Sequence, residues 1–337
     1  MLVYVDDILI TGNNADFVQH VISALNKIFP LKDLGELHYF LGIEAKSLSD
    51  GKLLLSQSKY ASDLLHKLNM QDAKSVKTPL APGCKFQSAG TEVAEDPRLY
   101  RSVVGALQYL TITRPDLAFT VNKLCQYMHR PLQSHWKIVK RVLRYINGTR
   151  DHGLLFEKSH NLHLIGYCDS DWASDQDDMR STSGYCLFLG SNMISWMAKK
   201  QQVVSRSSTE AEYRSLAALV AETQWLKSLL TELRLKVTTP PLVWCDNLGA
   251  VMLTTNPVMH SKTKHFELDL WFVREKVAKG EIVVKHVPTQ FQIADLLTKA
   301  PSSNQFLTLR TKLNVHSLST LSLRGGVRGK TDNTSVG

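Results

Sequence analysis

Cysteines are few in this sequence, and none has the spacing of a metal site. The 337 residues contain five cysteines, at positions 84, 125, 168, 186 and 245, without the close pairs that structural zinc requires. Their number is odd and three of them fall in predicted strands, which argues against a disulfide framework. This usage indicates reduced, structural thiols and therefore an intracellular protein.

Long apolar stretches are also missing. No run approaches the roughly 20 residues that cross a bilayer, and the amino terminus lacks the charged and then apolar regions of a secretion signal. We therefore expect a soluble chain in the cytoplasm or the nucleus with no membrane partner. No feature of the sequence specifies an oligomeric state.

What is present is the composition of a basic globular protein. Hydrophobic residues make up 43% of the chain and charged residues 21%, which is enough apolar material for more than one core. The length favours two or three domains. The net charge of +9 suits a phosphate-bearing partner. Many basic proteins bind no nucleic acid, so the charge alone does not decide whether this protein binds one.

Two aspartates stand at the ends of apolar strands. Asp169 ends the apolar run that starts at residue 163, and Asp246 follows the run 242–245. From residue 162 the pattern predicts strand, strand, strand, helix, strand, helix, helix, strand, helix, which is an α/β fold with a mixed sheet. A right-handed crossover through the helix from 208 to about 233 makes the first and fourth strands parallel neighbours. Both aspartates then lie at the carboxyl ends of adjacent strands, at the topological switch point where open α/β sheets usually have their binding or active sites.

Two further acids are candidates for the same place. Glu212 lies on the helix face of Leu216, which must cover the sheet, whereas Glu210 points toward a wetter side. Asp295 lies in a predicted late helix, just after His286. The four acids together indicate a functional site at the strand ends.

Each of these acids also has an ordinary interpretation. Glu212 fits a capping box, Asp246 fits the cap of a short helix, and Asp295 alone would be a surface acid. We interpret Asp171 as a loop acid.

The amino-terminal residues contain a second acidic pair. Asp6 and Asp7 lie between two short apolar arms, which predicts a hairpin with the carboxylates at its tip. Adjacent acids in an apolar hairpin favour a bound cation, although aspartate is also common in plain turns. An amphipathic helix is predicted over residues 17–29.

The middle of the chain is predicted to be a linker followed by three helices. Residues 76–98 are rich in proline and glycine, and helices are predicted over 100–111, from 114, and over 134–147. On the third helix four basic residues face away from the apolar side: Lys137, Lys140, Arg141 and Arg144. This stripe suits a nucleic-acid backbone, and a solvated helix face would have the same spacing.

Several short motifs in this order resemble one known family. The amino-terminal ones are YVDD at 4–7, LHYFLGIE at 37–44, YRSVVG at 100–105 and RPD at 114–116. The later ones are GYCDSDWA at 166–173, STSGY at 181–185, SSTEAEY at 207–213, CDN at 245–247 and ADLLTK at 294–299. Together they resemble the carboxy-terminal part of a copia-type retrotransposon Pol polyprotein, the end of a reverse transcriptase followed by a ribonuclease H domain.

The resemblance implies an arrangement of domains. A truncated reverse-transcriptase palm with the start of the thumb would occupy 1–75, a linker 76–98, a helical thumb or connection 99–150, a ribonuclease H-like mixed sheet flanked by helices 160–315, and a disordered tail 316–337. We expect 160–315 to fold alone and 1–150 to aggregate or stay molten, because its hairpin lacks partner strands.

The resemblance also implies a chemistry. Asp169, Glu212, Asp246 and Asp295 would hold two magnesium or manganese ions about 4 Å apart, and His286 would aid proton transfer or product release. The substrate would be the RNA strand of an RNA–DNA hybrid. The polymerase site at Asp6 and Asp7 is expected to be an inactive remnant unless a longer polyprotein supplies the rest. A catalytically inert nucleic-acid-binding relic is the alternative.

Overall fold

A computed structural model describes residues 1–84, 86–159, 161–235, 237–256 and 266–325 of this chain. The strands are β1 (Leu2–Tyr4), β2 (Asp7–Leu9), β3 (Tyr39–Phe40), β4 (Ile43–Ser47), β5 (Leu53–Ser56), β6 (His152–Phe156), β7 (Leu164–Asp171), β8 (Thr182–Leu189), β9 (Asn192–Lys200), β10 (Leu242–Cys245), β11 (Val283–His286) and β12 (Val315–Ser317). The predicted α/β class, with a mixed sheet flanked by helices, is confirmed.

The helices alternate with these strands in the second half and cluster in the middle of the chain. They are α1 (Ala15–Ile28), α2 (Ser58–Lys67), α3 (Pro97–Leu110), α4 (Ala118–Cys125), α5 (Gln133–Asn147), α6 (Ser208–Glu232), α7 (Leu248–Thr255), α8 (Glu267–Ala278), α9 (Ser303–Lys312) and α10 (Leu318–Gly325). Among the described residues no helix combines the length and the apolar character needed to cross a membrane.

The sheet that carries the candidate site has five strands in the order β11-β10-β7-β8-β9. β7, β8 and β9 form an antiparallel meander, while β7, β10 and β11 run parallel to one another. The long helix α6 makes the crossover to β10, and it begins where the Ser207 side chain accepts a hydrogen bond from the Glu210 amide, as an N-cap serine does. The predicted late helix with Asp295 is instead a short 3₁₀ helix, Ile293–Leu297.

Both faces of this sheet are covered, but by different parts of the chain. On one face Cys168 and Val243 share a core with Tyr213 and Leu216 of α6. On the other face the core includes residues of the sheet and of helices α2 to α5 together: Cys186, Phe188, Met193, Leu107, Val121 and Val139. The helical region and the sheet region therefore share one core. The face of the sheet opposite α6 is covered partly by the 3₁₀ helix 293–297 and α9, and partly by helices that lie outside residues 160–315.

A second sheet joins distant parts of the sequence, in the order β12-β6-β5-β4-β3. β12 pairs antiparallel with β6, so that Val315 lies opposite Leu154, and Val315 is buried. The Asp151 carboxylate accepts hydrogen bonds from the Ser317 hydroxyl at 2.6 Å and the Ser319 amide at 3.2 Å. The prediction of a disordered tail is therefore wrong for 316–325, because pairing and capping by distant residues order a segment that lacks internal periodicity. Residues 326–337 lie outside the described part.

The first helix of the central group begins earlier than the sequence predicts. α3 starts at Pro97, inside the predicted linker, because the Asp96 side chain accepts hydrogen bonds at 2.9 Å from the amides of Arg98 and Leu99. Proline suits the first helical turn, where its missing N–H would be unpaired in any case.

Candidate metal centre

Three carboxylates from distant elements converge at the end of the parallel strands. Asp169 lies near the end of β7, Asp246 directly follows β10, and Asp295 lies in the 3₁₀ helix Ile293–Leu297. One oxygen from each lies within 4.8 Å of the other two. Asp169 and Asp295 are buried, and Asp246 is half-buried. These are distances at which one divalent cation can contact several carboxylates.

A glycine allows the segment with Asp295 to approach the sheet. Gly184 lies opposite Asp169 in the β7–β8 register. A Cβ at Gly184 would lie 2.7 Å from Thr298 Cγ2 and 2.8 Å from Leu297 Cβ, so any side chain there would push the 3₁₀ helix outward. The buried Gln292 side chain fixes the start of the same segment by donating a 2.8 Å hydrogen bond to the Cys168 carbonyl.

Glu212 reaches the strand ends from the opposite face of the sheet. Its Oε1 accepts a 3.1 Å hydrogen bond from the Ser170 amide. Its other partners form a second group, in which ligand atoms of Glu212, Cys245 and Asp246 lie within 4.8 Å of one another. The four acids thus form two overlapping groups that share Asp246.

Glu210, the competing acid on α6, has other partners. Its Oε1 forms a 2.9 Å ion pair with Arg214, and its Oε2 accepts a hydrogen bond from the Arg206 amide at 3.0 Å. These contacts use Glu210 to fix the start of the helix.

The acids stand in a strongly negative, buried environment. Burial, and then the charge of Asp169, raise the pKa values of Glu212 and Asp246. The same two causes raise the pKa of Asp295 to about 7, although Lys299 opposes them. Such carboxylates favour either protons or a bound cation.

Two residues that sequence reasoning missed contact these acids directly. Lys299 Nζ lies 2.8 Å from Asp295 Oδ1 and 3.5 Å from Asp169 Oδ2, and the Thr298 hydroxyl donates to Asp169 Oδ2. Although burial opposes it, Asp169 and Asp295 raise the pKa of Lys299, so this side chain is charged. The only signal in the sequence was the position of Thr298 and Lys299 three and four residues after Asp295 within ADLLTK.

The donor set fits a hard divalent cation. Asp169, Asp246 and Asp295 offer only oxygen atoms, which magnesium and manganese prefer. Lys299 is one positive charge among these three acids, so negative charge is left over for a cation to neutralise. The residues present therefore suit magnesium or manganese at this position.

His286 and Asp171 both lie beside the acids. His286 ends β11 opposite Cys245, and its Nε2 lies 3.2 Å from the Asp246 carbonyl oxygen. Asp171 is the last residue of β7 rather than part of a loop. Burial raises the pKa of Asp171, Lys299 opposes this and Asp169 adds to it, so Asp171 belongs to the same electrostatic environment.

The amino-terminal acids lie in a small, separate sheet. β1 and β2 pair so that Tyr4 faces Asp7, with Val5 and Asp6 in the turn between them. Both aspartates are exposed, as expected for the tip of a hairpin.

The four basic residues of α5 divide into two pairs. Lys137 and Lys140 are exposed. Arg141 Nη2 donates a 3.0 Å hydrogen bond to the Thr78 hydroxyl, and Arg144 Nε donates one of 2.7 Å to the Lys74 carbonyl. The arginines thus hold the preceding segment against the helix, which leaves the two lysines as the outward-facing charges of the set.

Comparison with known proteins identifies the family. Residues 1–82 match the family described as reverse transcriptase (RNA-dependent DNA polymerase). The retrovirus-related Pol polyprotein from transposon RE2 of Arabidopsis thaliana is 51% identical over 94% of this chain and 22% of its own length. That from transposon TNT 1-94 of Nicotiana tabacum is 36% identical over 94% of this chain and 24% of its own length. The chain belongs to the copia-type retrotransposon Pol polyproteins, and it spans about a fifth of the length of these relatives.

Two solved structures are also similar. LC11-RNase H1 in complex with an RNA/DNA hybrid is 16% identical, with a TM-score of 0.32, over 40% of this chain and 93% of that chain. The foamy viral protease-reverse transcriptase in complex with an RNA/DNA hybrid is 12% identical, with a TM-score of 0.45, over 89% of this chain and 37% of that chain.

Proposed function

We propose that this chain is a divalent-metal-dependent ribonuclease that hydrolyses the RNA strand of RNA–DNA hybrids. The observation that carries the proposal is the convergence of oxygens from Asp169, Asp246 and Asp295 within 4.8 Å at the end of parallel strands. Glu212 approaches the same point from the other face. Membership in the Pol family supports the choice of a nucleic-acid phosphodiester as the substrate.

Each residue has a distinct task in this proposal. Asp169, Asp246, Asp295 and Glu212 would hold magnesium, or manganese in its place. When bound, a pair of such ions supplies an activated water and neutralises charge on the phosphate and the leaving oxygen. Thr298 orients Asp169 and the Ser170 amide orients Glu212. Such fixed orientation matters because a preorganised site stabilises charge without rearranging during the reaction.

His286 is proposed to assist the site without holding the metal. Its Nε2 lies 3.2 Å from the Asp246 carbonyl oxygen, at the edge of the acid group. Imidazole is the side chain most often used for proton transfer in enzymes. Its task would be to protonate the leaving oxygen or to aid release of the product.

The proposal is tested with an end-labelled RNA in a hybrid with DNA. We expect cleavage of the RNA with magnesium or manganese, no cleavage when a chelator removes divalent cations, and no cleavage of single-stranded RNA or duplex DNA. A preparation carrying Asp246→Asn, purified in parallel, controls for contaminating nuclease. Cleavage by that preparation at the wild-type rate would overturn the assignment.

The second candidate is a nucleic-acid-binding protein without catalysis. The observation that favours it is Lys299, whose ammonium group already compensates Asp169 and Asp295. In this case the hybrid would bind with the same affinity with and without magnesium, and no cleavage product would form at any metal concentration.

DNA synthesis is not proposed for this chain alone. Asp6 and Asp7 are exposed on a hairpin that pairs with no other strand among the described residues. Two adjacent exposed acids alone do not hold a pair of metal ions in register. In a primer-extension assay with the purified chain we expect no elongated product. A product that disappears in an Asp6→Asn, Asp7→Asn double variant would contradict this.

A further inference from the structure

Two cysteines lie directly behind the metal centre. Cys168 and Cys245 each precede one of its aspartates, and they face each other in the parallel register of β7 and β10. Because successive side chains of a strand point to opposite faces, Cys168 points away from Asp169. Both thiols are fully buried in the core on the α6 side.

The surroundings of these thiols differ from those of an ordinary core cysteine. Cys245 Sγ lies 3.9 Å from Glu212 Oε2, and one ligand atom each of Cys245, Glu212 and Asp246 lie within 4.8 Å of one another. Cys168 Sγ is 3.6 Å from the Trp244 carbonyl. Cys168 lies directly opposite Cys245 in the strand register, and both side chains lie in the core on the α6 side, so the two thiols are neighbours.

We propose that Cys245, Glu212 and Asp246, with Cys168 beside them, form a second metal site that takes a thiophilic divalent cation such as Zn²⁺ or Cd²⁺. The ion binds sulfur as thiolate and releases the thiol protons to solvent, with no change of oxidation state. The grouped atoms of Cys245, Glu212 and Asp246 supply three of the four ligands that zinc prefers. The Cys168 thiol, opposite Cys245 in the strand register, would be the fourth. The ion enters from the side of Asp246, which is the half-buried residue of the group.

The sharing of Asp246 makes the two sites antagonistic. Asp169, Asp246 and Asp295 offer a hard, all-oxygen set on one side of the sheet, while the sulfur atoms lie on the other. A hard ion has little affinity for thiolates, whereas a soft ion gains from them. A bound Zn²⁺ or Cd²⁺ draws Asp246 and Glu212 toward the thiols. Both acids are then no longer available to hold magnesium, so the soft ion inhibits the hydrolysis. This part of the inference rests on the proposed function.

The test is a cadmium titration of the complete, metal-free chain, followed by the ultraviolet sulfur-to-cadmium charge-transfer absorption. We expect the band to appear with one ion bound per chain at this site. Cys245→Ser should weaken that binding at least tenfold, and Cys168→Ser should reduce the intensity of the band. Cys186→Ser is the matched control, because that thiol is equally buried but lies in the core on the other face, and it should leave the titration unchanged.

A measurement on the unaltered chain covers the case in which a serine variant does not fold. The ¹¹³Cd resonance of the wild-type complex should lie in the range of sulfur-ligated cadmium, and a resonance typical of oxygen ligands alone would overturn the proposal. So would an equal band in the wild type and in folded Cys245→Ser. Neither readout depends on hydrolysis, so they judge this site even if the chain cleaves no hybrid.

Inhibition is measured separately from binding. If the hybrid is cleaved, Cd²⁺ should inhibit in the presence of excess magnesium, and Cys245→Ser should require at least tenfold more Cd²⁺ for the same inhibition. Equal inhibition of both proteins would mean that cadmium acts at the all-oxygen side, and the antagonism would be rejected.

Discussion

The first 44 residues and the sheet around Asp169 contain similarly apolar strands but use them differently. Within 1–44, which the structure describes completely, no residue is buried, and apolar side chains such as Leu2, Val3 and Phe17 are exposed. β7 and β8, by contrast, are covered on both faces. The comparison shows that an apolar strand becomes part of a core only where enough neighbouring strands and helices are present to cover it.

The sharpest test of this comparison is to neutralise acids in each region. Asp169→Asn should lower the rate of hybrid cleavage by roughly 10³-fold or more, because the variant lacks a preorganised charge at the reacting centre. Asp7→Asn, on the exposed hairpin, should leave the rate unchanged. Rates are measured at saturating magnesium.

A matched pair on one helix refines this test. Glu212→Gln should lower the cleavage rate as much as Asp169→Asn does. Glu210→Gln, two residues earlier, removes a buried acid whose partners are Arg214 and the Arg206 amide. This second variant should keep the rate within a few-fold of the wild type. Equal reductions in the two variants would show that general destabilisation, and not the metal centre, controls the rate.

The next largest effect concerns which fragment folds. A chain of residues 160–315 should be molten or aggregate, because removal of α3, α4 and α5 exposes the face with Cys186, Phe188 and Met193. This revises the expectation from the sequence that 160–315 folds alone. A chain of residues 39–325 should unfold cooperatively on heating, since none of the omitted residues 1–38 is buried.

Near-ultraviolet circular dichroism and thermal scans compare the two fragments with the full chain. A sharp transition for 160–315 at the temperature of the full chain would show that the shared core contributes little to stability.

A smaller effect is expected in the pH dependence of stability without metal. The folded state raises the pKa of Asp295 to about 7, above the value near 3.9 in an unfolded chain. The stabilisation is therefore complete at pH below about 4 and is lost as the pH rises through about 7. From pH 5 to pH 8 the wild type should lose on the order of 2 kcal/mol relative to Asp295→Asn.

Comparison with Asp295→Asn is needed because other groups titrate in the same range. Burial lowers the pKa of His152 to about 4, which makes the folded state gain stability as the pH rises. Urea unfolding in the presence of a chelator measures both proteins. Saturating magnesium should remove the difference in slope, and a pH-independent difference without metal would contradict the expected raised pKa.

The smallest effect concerns the basic face of α5. Replacing Lys137 and Lys140 with alanine should make the slope of log affinity against log salt for the hybrid shallower, by about one unit for each phosphate that is no longer neutralised. Arg141→Ala and Arg144→Ala should mainly lower stability, because their side chains bind residues 74–78. An unchanged slope in the double lysine variant would identify α5 as a solvated face.

The sequence predicted the sheet and the position of two acids well, because these depend on local patterns. The apolar runs before Asp169 and Asp246 and the length of α6 determine the parallel pairing. What it missed depends on contacts across the chain. Thr298 and Asp169 are 129 residues apart, and no local pattern reveals that the threonine orients the acid.

The sequence did not predict the carboxy-terminal strand β12 for a related reason. β12 has only three residues, so its alternation is too short to recognise. Its pairing partner β6 and its hydrogen-bonding partner Asp151 both lie far upstream. The interpretation of Asp171 as a loop acid failed because the end of a strand is among the least reliable features to derive from sequence.

The return of β12 to β6 constrains the order of events during synthesis. The ribosome synthesises the chain from the amino terminus. The strands β3 to β6 of this sheet therefore leave the ribosomal exit tunnel long before Val315 does. Until then β6 has a free edge beside Leu154, and such edges pair readily with other chains. Because contacts so distant in sequence close slowly, a translation stop shortly before residue 315 would leave β6 without its partner strand and this sheet open to aggregation.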